Sequence, residues 1–96
     1  MKVHLINKGL ITGFLDNNPK CRKDISIWVK LMNHADWHRL SDIDHTFALP
    51  FISKESREVK FEIPSANITI TCRYYFCTHR VHIIVRHIQA NEVQSH

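Results

Sequence analysis

The residues with the most chemistry in them share one alternating stretch, 67–76, which reads NITITCRYYF. Asn67, Thr69, Thr71, Arg73 and Tyr75 fall on one side of it, and Ile68, Ile70, Cys72, Tyr74 and Phe76 on the other. A period of two, with β-branched and aromatic residues throughout, predicts a strand with one buried face and one working face. The working face offers hydroxyls, a guanidinium and a phenol, groups that suit phosphate oxygens and base rings. Arg73 also has a plainer use, as the cation of a cross-strand ion pair with Glu58 or Glu62. Farther on, Arg86 and His87 place a guanidinium next to an imidazole. On a regular strand they point to opposite faces, so they share a site only if the strand carries a bulge.

Other reactive residue types point to less. His34, Asp36 and His38, with His45 nearby, are metal-ligand types. A zinc site needs three or four convergent ligands held by a second shell, and here a helix is ending and Trp37 interrupts. The residues read as a surface cluster of polar side chains where the helix ends, and neither a metal nor a cofactor is expected. The three cysteines, Cys21, Cys72 and Cys77, are odd in number and lack CxxC spacing, which argues against a disulfide framework. Cys72 falls on the buried side of its strand as a small hydrophobe.

These residues have to be positioned by a small chain. Its 96 residues fit one domain, 1–96, and a hydrophobic fraction of 44% allows a core. Thirteen Lys and Arg against nine Asp and Glu leave a net charge of +4, which suits an anionic partner such as nucleic acid. The N-terminal apolar run is too short for a signal peptide and no run reaches membrane-spanning length, so the cytoplasm is the expected compartment and no membrane is involved.

In chain order, residues 3–6 predict a first strand. Asn7 is placed to cap a short helix starting at Lys8, with Leu10, Ile11, Phe14 and Leu15 at helical spacing and Gly9 and Gly13 weakening it. Asn18-Pro19 marks a second helix start. Cys21, Ile25, Trp28, Val29 and Met32 form its apolar stripe, with Lys20, Arg22, Lys23 and Lys30 mostly off it as a basic rim. Residues 36–47 form a connector in which Ser41 is placed to cap one helical turn, with Ile43 and Phe47 facing inward. Residues 48–56 read as loop. Residues 58–63 alternate again, Pro64-Ser65-Ala66 turns the chain into the central strand, and 81–88 is a nearly continuous apolar strand. Residues 90–96 are polar and expected to fray. The result is an α+β fold, β-α-α-β-β-β, with an N-terminal strand and two helices packed on a small antiparallel sheet.

At this point the ordered series resembles a known family. MKVHLI at the start, Ala35-Asp36-Trp37 followed by Asp42-Ile43 and Phe47, Val59-x-Phe61-x-Ile63, Cys72-Arg73-Tyr74-Tyr75-Phe76, and Val81-His82-Ile83 with Val85 and Ile88 are together similar to the HigB-like toxins of the RelE superfamily. The likeness spans nearly the whole chain. It implies a RelE-like fold and the toxin of a type II toxin–antitoxin pair, an endoribonuclease that cuts mRNA on the ribosome. A cognate HigA-like helix-turn-helix antitoxin would neutralise it. The chemistry implied is attack by the substrate's own 2′-hydroxyl, which needs a base, cations on the phosphate and a proton for the leaving oxygen.

Under that resemblance Arg73 stands where the family has Lys, and Arg86 would stabilise the phosphate while His87 shuttles a proton. Asn91 stands where the family's His would be, Val93 for its Glu and Gln94 for its Tyr. The family's Arg early in the central strand falls on Thr69, and the Arg heading its V-x-F-x-I falls on Glu58, with Arg57 one position away. RNA contacts would come from Arg57, Lys60, Tyr75 and the helix cation Lys23. The plainer alternatives are an edge-protecting charge at Lys60, a structural His87, and packed, hydrogen-bonded His4 and His82. Functionally, the resemblance leaves an active interferase, a degenerate member that binds antitoxin, RNA or ribosome without cutting, or an RNA-binding sheet unrelated to toxins. The oligomeric state stays open.

Overall fold

Strands with apolar side chains at alternate positions need a second layer to bury them against. In the computed structural model, which describes residues 1–47 and 50–91, two helices supply that layer on one side of a single sheet. Strands β1 (Lys2–Ile6), β2 (Phe51–Ser53), β3 (Glu58–Ile63), β4 (Ile68–Phe76) and β5 (Arg80–Ala90) lie in the order β1-β5-β4-β3-β2. From β2 to β5 the pairing is antiparallel, as the short turns between β3, β4 and β5 require. β1 runs parallel to β5, with Val3 beside Val81 and Leu5 beside Ile83.

The expected antiparallel sheet is therefore corrected to a mixed one. The expected loop at 48–56 is corrected at Phe51–Ser53, which pairs with β3. Three residues are too few to show a period, and the preceding Pro50 masks the strand. Residues 48 and 49 of that loop, and 92–96 at the end of the chain, lie outside the described residues; the latter include the positions of Glu92, Val93 and Gln94.

Helices α1 (Gly9–Asn17) and α2 (Arg22–His34) are joined by a 3₁₀ turn, Pro19–Cys21. Ile11, Leu15, Cys21, Ile25, Trp28 and Met32 are buried in one cluster with Val3, Leu5, Val59, Phe61, Ile68, Ile70, Cys72, Tyr74, Val81, Ile83 and Val85. The α2 stripe is thus core as expected, with Val29 half-buried at its border. Burial pushes the Cys72 thiol up to about 12, so it sits in the core as a neutral group. Among the described residues no helix is long and apolar enough to cross a membrane.

Side-chain amides do different work from that expected of them. Asn7 does not cap α1: its backbone has φ 70° and its carboxamide donates to the Val85 carbonyl, 3.1 Å away, tying the β1 exit to β5. Lys8 occupies the cap without a side-chain hydrogen bond. Asn18 likewise does not cap the next helix; it donates back to the Phe14 carbonyl at 3.0 Å and closes α1, while Pro19 begins the 3₁₀ turn. Asn67 belongs to the β3–β4 turn at φ 55°, a backbone region that Asn tolerates better than most residues, rather than to the strand.

The connector after α2 is held by aromatic packing. It forms a 3₁₀ turn, Leu40–Asp42, and then α3 (Ile43–Thr46). Trp37 is only 1% exposed and donates its indole N–H to the Thr46 hydroxyl at 2.9 Å. Phe47 links it to the sheet, with ring centroids 6.3 Å from Trp37 and 4.8 Å from Phe61. Ser41 is not the cap. The Asp42 carboxylate takes that role, accepting from the His38 and Arg39 amides at 2.8 and 3.2 Å. Those amides, the His38 one first, hold its carboxyl below the usual carboxylate value.

Two outcomes follow from this packing. Trp37→Ala is expected to cost about 3–5 kcal/mol, the usual range for deleting a buried large aromatic, read as a lower urea midpoint. The depressed Asp42 carboxyl contributes stability that is present above its ordinary value and lost as pH falls through the depressed one. Amide exchange at residues 38–46 should therefore accelerate relative to the sheet on acidification below about pH 4, where model carboxyls protonate. In Asp42→Asn that acid step should be absent.

Candidate nucleic-acid interface

The helices cover only one side of the sheet, so residues between the core positions form an open face. On β4 these are Thr69, Thr71, Arg73 and Tyr75, all half-buried, as the alternation predicted. The register brings neighbours beside them. Lys60, Thr71 and His87 make one row across β3, β4 and β5, and Glu58, Arg73 and Ile84 make the next. Tyr75 lies beside His82, and His82 beside His4. Neighbouring strands are about 4.8 Å apart and alternate residues about 6.7 Å, so these rows form one contiguous patch.

The β4–β5 ladder carries one irregularity, between Thr71 and Cys72. Val85 pairs with Cys72 and Ile88 with Ile70, both on the helix side, while His87 pairs with Thr71 on the open side. Two residues, Arg86 and His87, thus lie between consecutive core positions where a regular strand has one, and both are exposed. The bulge required for these two side chains to share a face is present. In the register Lys60 and His87 flank Thr71, with Arg73 two residues along β4 and Arg86 in the bulge.

Arg73 faces Glu58 directly across the ladder, yet no salt bridge joins them. The guanidinium is held in the sheet by position and remains available to a ligand. Arg57 sits in the β2–β3 turn at φ 55°, where its carbonyl accepts the Tyr74 amide at 2.9 Å. Its guanidinium lies 5.5 Å from the centre of the Tyr75 ring, over the open face. It therefore joins Tyr75 instead of taking the Glu58 position. The reading of Lys60 as an edge guard is corrected, because β2 covers β3 and the edge lies one strand farther out.

Some candidates fall elsewhere. Lys23 is exposed on α2, in the layer behind the sheet, so a ligand lying flat on the open face does not reach it. Asn91, just after β5, forms a hydrogen-bonded clasp. Its amide donates to the Asn67 carbonyl at 2.8 Å, its carbonyl accepts from the Asn67 carboxamide at 3.0 Å, and its side-chain oxygen accepts from the Thr69 hydroxyl at 2.9 Å. The side chain is spent on structure. His4 and His82 are each expected to be packed and hydrogen-bonded, but His4 is exposed, His82 has a buried Nδ1 without a partner among the described residues, and the rings lie 5.8 Å apart. The connector histidines stay separate. His34 Nδ1 is 2.8 Å from the Lys30 carbonyl, His38 Nε2 is 3.7 Å from Asp36, and His45 is 3.8 Å from Asp42. Among the described residues no three such side chains converge on one point.

The chain matches no protein-family model, and no characterised protein matches it. The site therefore rests on the geometry of its own residues. That geometry supplies cations for phosphate, an imidazole for proton transfer and a phenol for stacking, on one continuous surface.

Deleting Arg86 tests the bulge. The remaining residues of β5 then alternate without interruption, Val85 opposite Cys72 and His87 opposite Thr71, so the chain should fold with all core positions kept. Cross-strand NMR contacts between those pairs should persist while the irregularity at Thr71/Cys72 disappears. Deleting Ile84 instead would also remove the extra residue, but it would turn Val85 outward and put the charged Arg86 into the core opposite Cys72, and that variant should fail to fold.

Proposed function

We propose that the open face is an RNA-cleaving surface and that the protein is the toxin of a toxin–antitoxin pair, acting on mRNA at the ribosome in the cytoplasm. The observation that carries this reading is the β5 bulge, which sets Arg86 and His87 on the same side as Arg73. In the proposed reaction His87 takes the proton of the 2′-hydroxyl, whose oxygen then attacks the adjacent phosphorus. The P–O5′ bond breaks, leaving a 2′,3′-cyclic phosphate, and the proton passes from His87 to the departing 5′-oxygen. Arg73 and Arg86 neutralise the charge that builds on the phosphate oxygens, where a fixed guanidinium acts through two parallel hydrogen bonds. Tyr75, backed by Arg57, offers a ring for a base, and Lys60 a contact to the RNA backbone. A helix-turn-helix antitoxin of the HigA type is the proposed partner.

One observation favours a second reading, a protein that binds antitoxin, RNA or ribosome without cutting. Thr69 and Asn91 stand where the resembled toxins carry an Arg and a His, and here they are hydrogen-bonded to each other. A complementary neutral pair in place of two functional groups suits a scaffold kept for binding.

Induced expression separates the two. Growth arrest relieved by a co-expressed antitoxin, with cuts mapped in ribosome-bound mRNA, is the expected outcome. Arg86→Ala and His87→Ala should each lower the cutting rate by about a hundredfold or more, the scale for removing one transition-state contact, with circular dichroism unchanged. Arg73→Ala should also lower the slope of log affinity against log salt by about 1. Antitoxin or RNA binding with no cuts would instead establish the second reading.

A further inference from the structure

A second cationic feature lies at the other end of β5, about 20 Å along the strand from the bulge, at ~3.3 Å for each of the residues between Arg80 and Arg86. Here a hollow of about 430 Å³ is lined by Lys2, Val3, His4 and Leu5 of β1, Lys8 at the start of α1, Asn33 near the end of α2, and His79 and Arg80 where β5 begins. Three permanent cations and two imidazoles thus converge from separate elements, and among the described residues no carboxylate lines the space.

The charges are set close by the fold. Lys2 and Arg80 are direct register partners on parallel strands, where like charges repel. Among the described residues none of Lys2, Lys8 and Arg80 has a salt-bridge partner. Asp36 bridges to Lys2 through the backbone, but its carboxylate is engaged by the Met1 ammonium and does not line the hollow. An arrangement that repels itself when empty is relieved by a compact oxyanion.

We propose that this hollow binds a phosphate group. Arg80 would grip two of its oxygens, Lys2 and Lys8 would supply point charges, and the Asn33 carboxamide would add a neutral donor. The volume admits a phosphate together with an attached sugar. The phosphate of a free nucleotide and a backbone phosphate of an RNA strand share this chemistry. The proposal does not depend on cleavage at the open face.

The test is an amide-resolved NMR titration of the full chain at constant ionic strength. Inorganic phosphate, adenosine 5′-monophosphate and a hexaribonucleotide without terminal phosphates are the ligands, with sodium chloride as the control. Saturable shifts at residues 2–5, 8, 33, 79 and 80, absent with chloride, are the expected result. Lys8→Ala/Arg80→Ala should weaken them at least tenfold, and Lys2→Gln, a milder change, should weaken them measurably if the double variant does not fold. Tighter binding of the monophosphate assigns the site to nucleotides, and tighter binding of the hexamer assigns it to RNA backbone. Shifts that follow ionic strength alone, spread evenly over Lys20, Lys23, Lys30 and Lys60, or survive the substitutions would overturn the proposal. The open face is read on separate resonances, those of Arg73, Tyr75 and His87, so the two sites stand or fall independently.

Discussion

β5 must keep Val81, Ile83, Val85 and Ile88 against the core, and the step from Val85 to Ile88 is odd where a strand's period is even. One extra residue reconciles them. The strand takes that residue as a bulge opposite β4, and the two side chains between the core positions are displayed together toward solvent. Packing on the helix side therefore sets the chemistry on the open side. Had β5 been regular from Val81 to Ile88, His87 would face the helices and Ile88 would face water.

The second condition is that the helix layer is one-sided. α1 and α2 bury one face of the sheet through Ile11, Leu15, Ile25, Trp28 and Met32, and the connector fills its flank with Trp37, Phe47 and Phe61. On the face they leave, Phe51, Ile6 and Ile84 lie in register with the polar groups, and no cross-strand salt bridge joins Arg73 to Glu58. Arg73 stays half-buried in the sheet beside Glu58 without forming a salt bridge among the described residues. A cation held in place by the strand it grows from has little conformational freedom left to lose on binding, which favours recognition of a phosphate.

The end of β5 is held by polar side chains in a structural role. Asn91 and Asn67 clasp the start of β4 to the end of β5, and Thr69 adds its hydroxyl to the Asn91 side chain. Three hydrogen bonds on one residue fix the strand end. The helix cations are separated from this face by the sheet itself, so the net charge of +4 does not make one cationic surface. It is distributed over the open face, the hollow beside β1 and the outer side of α2.

By itself the sequence determined which side chains go inside. The period of two in β3 and β4 and the stripe of α2 are local, since each residue's face follows from its spacing to near neighbours. The open face of β4, with Arg73 and Tyr75 on it, was legible for the same reason. Strand pairing was not, because β1 and β5 meet across more than seventy residues of chain and no local pattern encodes a parallel neighbour. Nor did Asn7, Asn18 and Asp42 reveal their partners, since a short polar side chain suits a cap, a backbone tie or a turn equally well until the chain folds around it. The alliance of Arg86 with His87 was visible only as a condition, that a bulge be present. The tertiary structure met that condition, because only the opposing strand and the helix layer fix which side of the sheet each residue faces.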